Sequence, residues 1–180
     1  MDKPGGTAST LTTANESNQP LPQVGISEIL GLVELLRAKG GREDIYKLAR
    51  ELQMEFGETL TVIRAAELMG LVHTPGGDVE VDKKGDEIGH AKIGDRKGII
   101  HDQLLKLPVF KTLSDFLKEK EDHTASRDQV LEKLAELIPN ENAEQTFNTL
   151  VQWGRYAELF GYNDDRETFY LDIEQPETPA

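Results

Sequence analysis

Two stretches with the same pattern decide the fold: Ala66-Glu67-Leu68-Met69-Gly70 and Ala157-Glu158-Leu159-Phe160-Gly161, which lie 91 residues apart. Each closes a segment of helical apolar spacing, and a glycine just past such a run is typical of a helix C-terminus. A hairpin signal follows each, turning at Pro75 to Asp78 and at Asn163 to Arg166. Two further helical patterns precede each, which is the order of a winged helix-turn-helix. The sequence therefore predicts a mainly α fold with short β-hairpins, built from two winged-helix-like modules in tandem.

Composition divides the chain into five segments. Residues 1–25 are rich in Gly, Ser, Thr, Asn and Pro and predict a disordered N-terminal tail. The two winged-helix-like modules are predicted at 26–84 and 98–172. A charged, glycine-punctuated connector separates them at 85–97, and an acidic, proline-bearing flexible tail occupies 173–180.

Local signals in the first module set its helix boundaries. Ser27 has the side chain of an N-cap for the first helix. We expect Arg42-Glu43-Asp44 to open the second helix, where the helix dipole favours the two acids. Phe56-Gly57 is predicted to form the turn before a third helix that begins at about Glu58.

The second module carries clearer helix-start signals. Pro108 suits the first turn of a helix, because that position needs no backbone N–H. Ser126 and Gln129 have the spacing of a capping box. We expect Asn140 or Asn142 to cap the last long helix.

Charge and composition limit the classes of function. The 180 residues carry a formal net charge of −13, which opposes binding to nucleic acid unless one face is locally basic. The chain has no cysteine, so disulfides and thiolate metal sites are excluded. No signal peptide and no apolar run of membrane-spanning length are visible, and we expect a cytoplasmic protein.

The third helix of each module is where a DNA-binding winged helix would read the major groove. In the first module the outward positions are predicted to be Glu58, Thr59, Thr61, Arg64 and Glu67. The second offers Glu141, Glu144, Gln145, Asn148 and Gln152, with no cation before Arg155. Both faces are poor in cations, so we expect neither to bind DNA.

Catalytic and cofactor signals are missing from the sequence. No two of the four histidines have i, i+4 spacing, which does not favour a helical metal site. The glycine clusters fail the P-loop spacing, and no Gly-x-Ser-x-Gly nucleophile motif occurs. We therefore expect no enzyme activity, no cofactor and no metal.

Three stretches resemble a known family: Gly31 to Leu36, Gly40 to Ala49 and Trp153-Gly154-Arg155-Tyr156-Ala157-Glu158-Leu159-Phe160-Gly161-Tyr162. They are similar to the AAA-associated C-terminal domain, over about Pro20 to Leu171. In that family the domain follows the ATP-binding subunit of ABC importers of the nitrate, sulfonate, taurine and bicarbonate type. Since this sequence has no P-loop, we expect a free-standing form of the domain without the ATPase.

The resemblance implies a non-catalytic protein-interaction or regulatory module that docks on an ABC-importer ATP-binding subunit or another protein. The candidate interaction residues are Arg42, Asp44, Trp153, Arg155 and Tyr156. Trp, Tyr and Arg dominate protein-interface hot spots. Purely structural roles stay open: Arg42 and Asp44 as a helix-start ion cluster, Trp153 in the core, and Arg155 paired with a carboxylate.

Three alternatives remain at the level of sequence. The first is a winged-helix transcriptional regulator that binds DNA. The second is a sensor of a small anion, which would require a buried arginine such as Arg155 to hold the oxyanion. A homodimer is a related expectation, because winged-helix modules often pair through their terminal helices.

Overall fold

The computed structural model describes residues 20–138 and 143–172. The first half contains α1 (Ile26–Ala38), β1 (Arg42–Asp44), α2 (Ile45–Leu52), α3 (Phe56–Leu68), β2 (Val72–His73), β3 (Asp78–Val81) and α4 (Lys83–His90). The second half contains α5 (Ile93–Leu104), α6 (Pro108–Glu119), β4 (Thr124–Ser126), α7 (Arg127–Leu137), α8 (Ala143–Tyr156), β5 (Gly161–Asn163) and β6 (Thr168–Tyr170). Within these residues no helix is both long enough and apolar enough to cross a membrane.

Each half builds a small antiparallel sheet on the same plan. The strand orders are β1-β3-β2 and β4-β6-β5, so the second hairpin strand is central in both. In both, the order along the chain is helix, strand, helix, helix, hairpin. The predicted fold class, mainly α with short β-hairpins, is confirmed.

The pairing register shows which positions of the two units are equivalent. In the first sheet Arg42 pairs with Glu80, and in the second Thr124 pairs with Tyr170. One residue further along, the N–H of Val81 donates to the carbonyl oxygen of Gly41, and the N–H of Leu171 donates to that of His123. Equivalent positions in the first strand and the following helix are therefore 82 residues apart. The two units of the tandem repeat therefore share their element order, their strand order and their pairing register.

The five-residue match that suggested the repeat does not join equivalent positions. Gly70 ends α3 in the left-handed conformation, with φ +69°, as predicted. Gly161 instead lies inside β5, and the left-handed residue after α8 is Glu158, with φ +55°. His73 and Gly161 pair with the equivalent residues Glu80 and Tyr170, so the true offset here is 88 residues rather than 91.

The expected helix start at Arg42-Glu43-Asp44 is wrong. Gly40 and Gly41 have φ values of +86° and +92°, and the chain then pairs with β3 as a three-residue strand. Asp44 is the N-cap of α2, where its carboxylate accepts the N–H groups of Tyr46 and Lys47 at 3.0 and 3.1 Å. A strand this short has no apolar alternation by which the sequence could reveal it.

Three further boundaries differ from expectation. α1 begins before Ser27, with Gly25 as N-cap and its N–H donating to the Glu28 carboxylate at 2.8 Å. Phe56-Gly57 forms the first turn of α3 rather than a loop. Residues 85–97, expected as a connector or short helix, comprise most of α4, the two residues 91–92 and the start of α5.

Residues 20–25, predicted as the end of the N-terminal tail, are part of the folded structure. Leu21 and Val24 are buried, so the described segment from Pro20 to Gly25 packs on the core. The rest of both tails and the expected caps Asn140 and Asn142 lie outside the described residues.

Two helix starts in the second half are confirmed. α6 begins at Pro108. At α7, Ser126 Oγ accepts the Gln129 N–H at 3.3 Å, and Gln129 Oε1 accepts the Ser126 N–H at 3.0 Å. Reciprocal bonds of this kind satisfy two backbone donors at the helix end.

One continuous cluster of buried apolar residues runs through both halves. At its surface Arg96 of α5 pairs with Glu34 of α1 across the two halves, at 2.8 Å, while Lys97 of α5 pairs with Glu158 within the second half, at 2.7 Å. The core therefore joins the two units directly.

Gly154 tests the packing of α8, because a Cβ added there would overlap the ring of Phe160. We expect Gly154→Ala to destabilise the protein by about 1–3 kcal/mol, since Phe160 is itself buried and must move. Gly31→Ala in α1 is the matched control, with no neighbour within 4 Å of the added Cβ. There we expect a gain of about 0.5–1 kcal/mol from helix propensity. Urea unfolding measures both, and an unchanged or raised stability of Gly154→Ala would contradict this packing.

The Lys97–Glu158 ion pair makes the stability of the folded protein depend on pH. The hydrogen bond from Lys97 lowers the pKa of Glu158 below its ordinary value of 4.5. The pair's stabilisation is therefore complete above the unfolded-state pKa and is lost as the pH falls through the lower folded-state pKa. In Lys97→Met we expect the pKa of Glu158 to rise, measured by NMR titration of its carboxyl carbon. Lys84→Met, which removes the partner of Glu87, should leave it unchanged; an equal pKa in Lys97→Met and the parent would refute the assignment.

Candidate protein-interaction surface

Arg42 and Asp44 belong to the first sheet, and their polar groups are already engaged. The Arg42 guanidinium pairs with Asp78 at 2.6 Å and with Glu80 on the neighbouring strand. The hydrogen bond to Asp78 raises the pKa of Arg42 above its usual value. His73 continues the cluster, with Nε2 3.2 Å from Glu80. These side chains tie the strands together on an exposed face.

Trp153 lies in the interior, not on a surface. It is fully buried, and its indole N–H donates to the carbonyl oxygen of Val24 at 2.8 Å. Its ring is stacked on Phe110 with 8° between the planes. The structural role that the sequence left open is therefore the one observed, and Trp153 cannot touch a partner directly.

Arg155 and Tyr156 sit where α8 meets the second hairpin. Arg155 donates to the Tyr162 carbonyl oxygen and to Asp164, the latter at 2.9 Å. Its guanidinium also lies 5.5 Å from the centre of the Tyr162 ring. Tyr156 is half-buried against the core. The five candidate residues are thus divided among the first sheet, the core and the second hairpin, and do not form one surface.

The largest exposed aromatic feature was missed by the sequence analysis. Tyr46 is 67% exposed and Phe56 is 39% exposed, and their rings stack with centroids 4.8 Å apart and 11° between the planes. Tyr46 falls outside the apolar stripe of α2, which is the one signal that the sequence offers. Phe56 has the spacing of the α3 stripe with Leu60 and Ile63, so the sequence gives no sign that its ring is exposed or that the two rings meet.

Two exposed arginines lie on the same two helices. Arg50 lies one turn after Tyr46 on the same face of α2. Arg64 lies on α3, two turns after Phe56, and both arginines are exposed. Among the described residues, neither forms an ion pair with a carboxylate.

A cavity of about 230 Å³ opens beside the first sheet, lined by Arg37, Gly40, Gly41, Val81 and Asp86. Arg37 is already paired with Asp86 at 3.1 Å and contacts His90 at 3.0 Å. Within the described ranges, no group of three His, Cys, Asp or Glu side chains could hold a metal ion. The charged side chains that line the cavity are therefore already paired with each other.

The family model for the C-terminal AAA-associated domain matches residues 46–163. The chain belongs to this family. The match begins in α2 and ends in β5, so it spans both sheet-bearing halves of the C-terminal AAA-associated domain. Comparisons with curated proteins and with solved structures give no significant match.

The buried indole of Trp153 makes a testable contribution to stability. Trp153→Phe keeps an aromatic ring but removes the donor to Val24 and leaves a cavity, so we expect a loss of about 2–4 kcal/mol. Thr149→Val removes the parallel hydrogen bond to the Pro22 carbonyl, which is 3.2 Å long, and should cost less. Urea unfolding measures the free energy of unfolding of both variants and shows which loses more. Amide exchange at residues 21–25 should become faster in Trp153→Phe, and unaltered protection there would contradict the anchoring.

Proposed function

We propose that the protein is a non-catalytic interaction or regulatory module that acts in the cytoplasm on the ATP-binding subunit of an ABC-type anion importer. The observation that carries this proposal is the family match over residues 46–163. The family's name associates the domain with an ATPase. The nitrate, sulfonate, taurine and bicarbonate importers are the systems that the sequence resemblance implies.

The surface of the helix before each hairpin, α3 in the first half and α8 in the second, supports a protein partner over DNA. On α3 the outward positions are Glu58, Thr61, Arg64 and Glu67, while Thr59, expected to face outward, is buried. On α8 the exposed residues before Arg155 are Glu144, Gln145, Asn148 and Gln152. Phosphate contacts need clustered cations, and these helices present one arginine between them in the groove-reading region.

A DNA-binding regulator remains the second candidate, because each half has the element order of a winged helix-turn-helix. A small-anion sensor has less support: Arg155 is exposed and paired with Asp164, and no arginine within the described ranges is buried. An anion clamp needs a desolvated guanidinium to be strong.

The test is direct binding between the purified chain and purified ATP-binding subunits. We expect the chain to co-elute with the subunit of a nitrate-, sulfonate-, taurine- or bicarbonate-type importer from the same source. We also expect it to change that subunit's rate of ATP hydrolysis. The matched control is the ATP-binding subunit of a sugar importer, which should neither co-elute nor respond.

Two outcomes would argue against the proposal. No complex with any of the anion-importer subunits would remove its basis. Binding to random duplex DNA at low ionic strength, lost on adding salt, would favour the transcriptional regulator instead. A thermal shift with millimolar nitrate or bicarbonate would favour the anion sensor.

A further inference from the structure

The exposed ring pair on α2 and α3 is not required by the fold. Tyr46 and Asp128 are each the second residue of the helix that follows the first strand, and Arg50 and Glu132 are equivalent one turn later. All four are exposed. The second unit therefore builds the same helix with carboxylates at both positions, so packing does not explain the aromatic residue and the arginine in the first unit.

The ring pair has the properties of an interface anchor. Tyr46 and Phe56 expose much of their area to water, yet their stacking already fixes their orientation. Burying preordered rings costs little side-chain entropy, and aromatic residues beside arginine are typical of interface hot spots. A partner that covers these rings would remove apolar surface from water without reorganising the helices.

The charges around the rings point to an acidic partner. Arg50 and Arg64 have no carboxylate partner among the described residues, whereas Lys47 is 3.7 Å from Glu43. The acids Glu55 and Glu58 form the capping box at the start of α3, where the Glu58 carboxylate accepts the N–H of Glu55 at 3.2 Å. The two arginines are therefore the charges of this surface that the carboxylates of an acidic segment can neutralise.

Nucleic acid fits the same surface less well. Aromatic rings beside arginines also bind single strands, but such sites follow the backbone with a continuous cationic groove. Here α3 carries a single cation, Arg64, so α2 and α3 do not present a continuous cationic groove. A protein segment with one apolar anchor and a few carboxylates matches the two arginines better.

We propose that Tyr46, Phe56, Arg50 and Arg64, here called the aromatic–arginine surface, dock an acidic segment of the ATP-binding subunit that carries an apolar anchor residue. This inference rests on the proposed function and specifies its contact surface. The anchor packs on the stacked rings, and the carboxylates of the segment pair with the two guanidinium groups.

The first arm of the test removes the rings. Binding of the full chain to the purified anion-importer ATP-binding subunit is measured by calorimetry for the parent and for the double variant Tyr46→Ser, Phe56→Ser. We expect the dissociation constant to rise about tenfold or more. Ile93→Ser is the matched control, because Ile93 is 80% exposed on α5, away from these helices, and it should leave affinity unchanged. Thermal unfolding should show that all variants remain folded, since the replaced side chains are exposed.

The second arm reverses the charges and does not depend on the rings. Arg50→Glu with Arg64→Glu should weaken binding about tenfold or more and flatten its dependence on salt concentration. The control is Arg166→Glu, which reverses an exposed arginine in the second half that also has no carboxylate partner among the described residues. Its affinity and salt dependence should match those of the parent.

The outcomes separate this inference from the proposed function. If the parent binds the subunit and both the ring and the charge variants bind equally well, the surface is overturned while the proposed function stands. If the parent does not bind, the proposed function fails and the docking surface fails with it. The inference is also overturned if the rings are needed instead for self-association in light scattering, or for binding a fluorescent single-stranded oligonucleotide.

Discussion

The hydrogen bond from the Trp153 indole to the Val24 carbonyl oxygen is a long-range buried contact within the core that joins the two halves. It joins residues 129 positions apart, is buried, and holds the segment before α1 against α8. The Phe110 ring lies parallel to the indole, with 8° between the planes, so α6 also packs on Trp153. A buried carbonyl without this donor would carry an uncompensated desolvation cost, which makes the arrangement strongly preferred over alternatives.

Around this anchor the chain uses one backbone plan twice with different side chains. Arg42, Glu80 and His73 occupy three neighbouring strand positions in the first sheet as a polar cluster. The equivalent positions in the second sheet are Thr124, Tyr170 and Gly161, where the Tyr170 ring lies over the glycine. At these positions the strands of the first sheet are linked by charge pairs, and those of the second sheet by packing of an aromatic ring. The shared plan thus leaves the exposed side chains free to differ.

Sequence reasoning succeeded where a residue's own chemistry fixes the local backbone. Pro108, the Ser126 capping box and Gly70 each act within a few residues of themselves, and each was placed correctly. It failed at β1 and β4, because strands of three residues exist only through pairing with a distant hairpin. The five-residue repeat was misleading for the same reason, since register and not composition decides which positions correspond.

The candidate site was the least predictable part, because residue type alone does not report exposure. Trp153 and Arg155 have hot-spot chemistry, but the fold uses one in the core and the other to hold a hairpin. Tyr46 and Phe56 look ordinary in sequence and become notable only when α2 and α3 bring their rings together in water. The internal repeat adds a comparison within the chain: the equivalent helix α7 carries Asp128 in place of Tyr46, so the same backbone plan is built without an aromatic ring at that position. A side chain that the fold leaves exposed, preordered and dispensable is therefore better explained by binding than by packing.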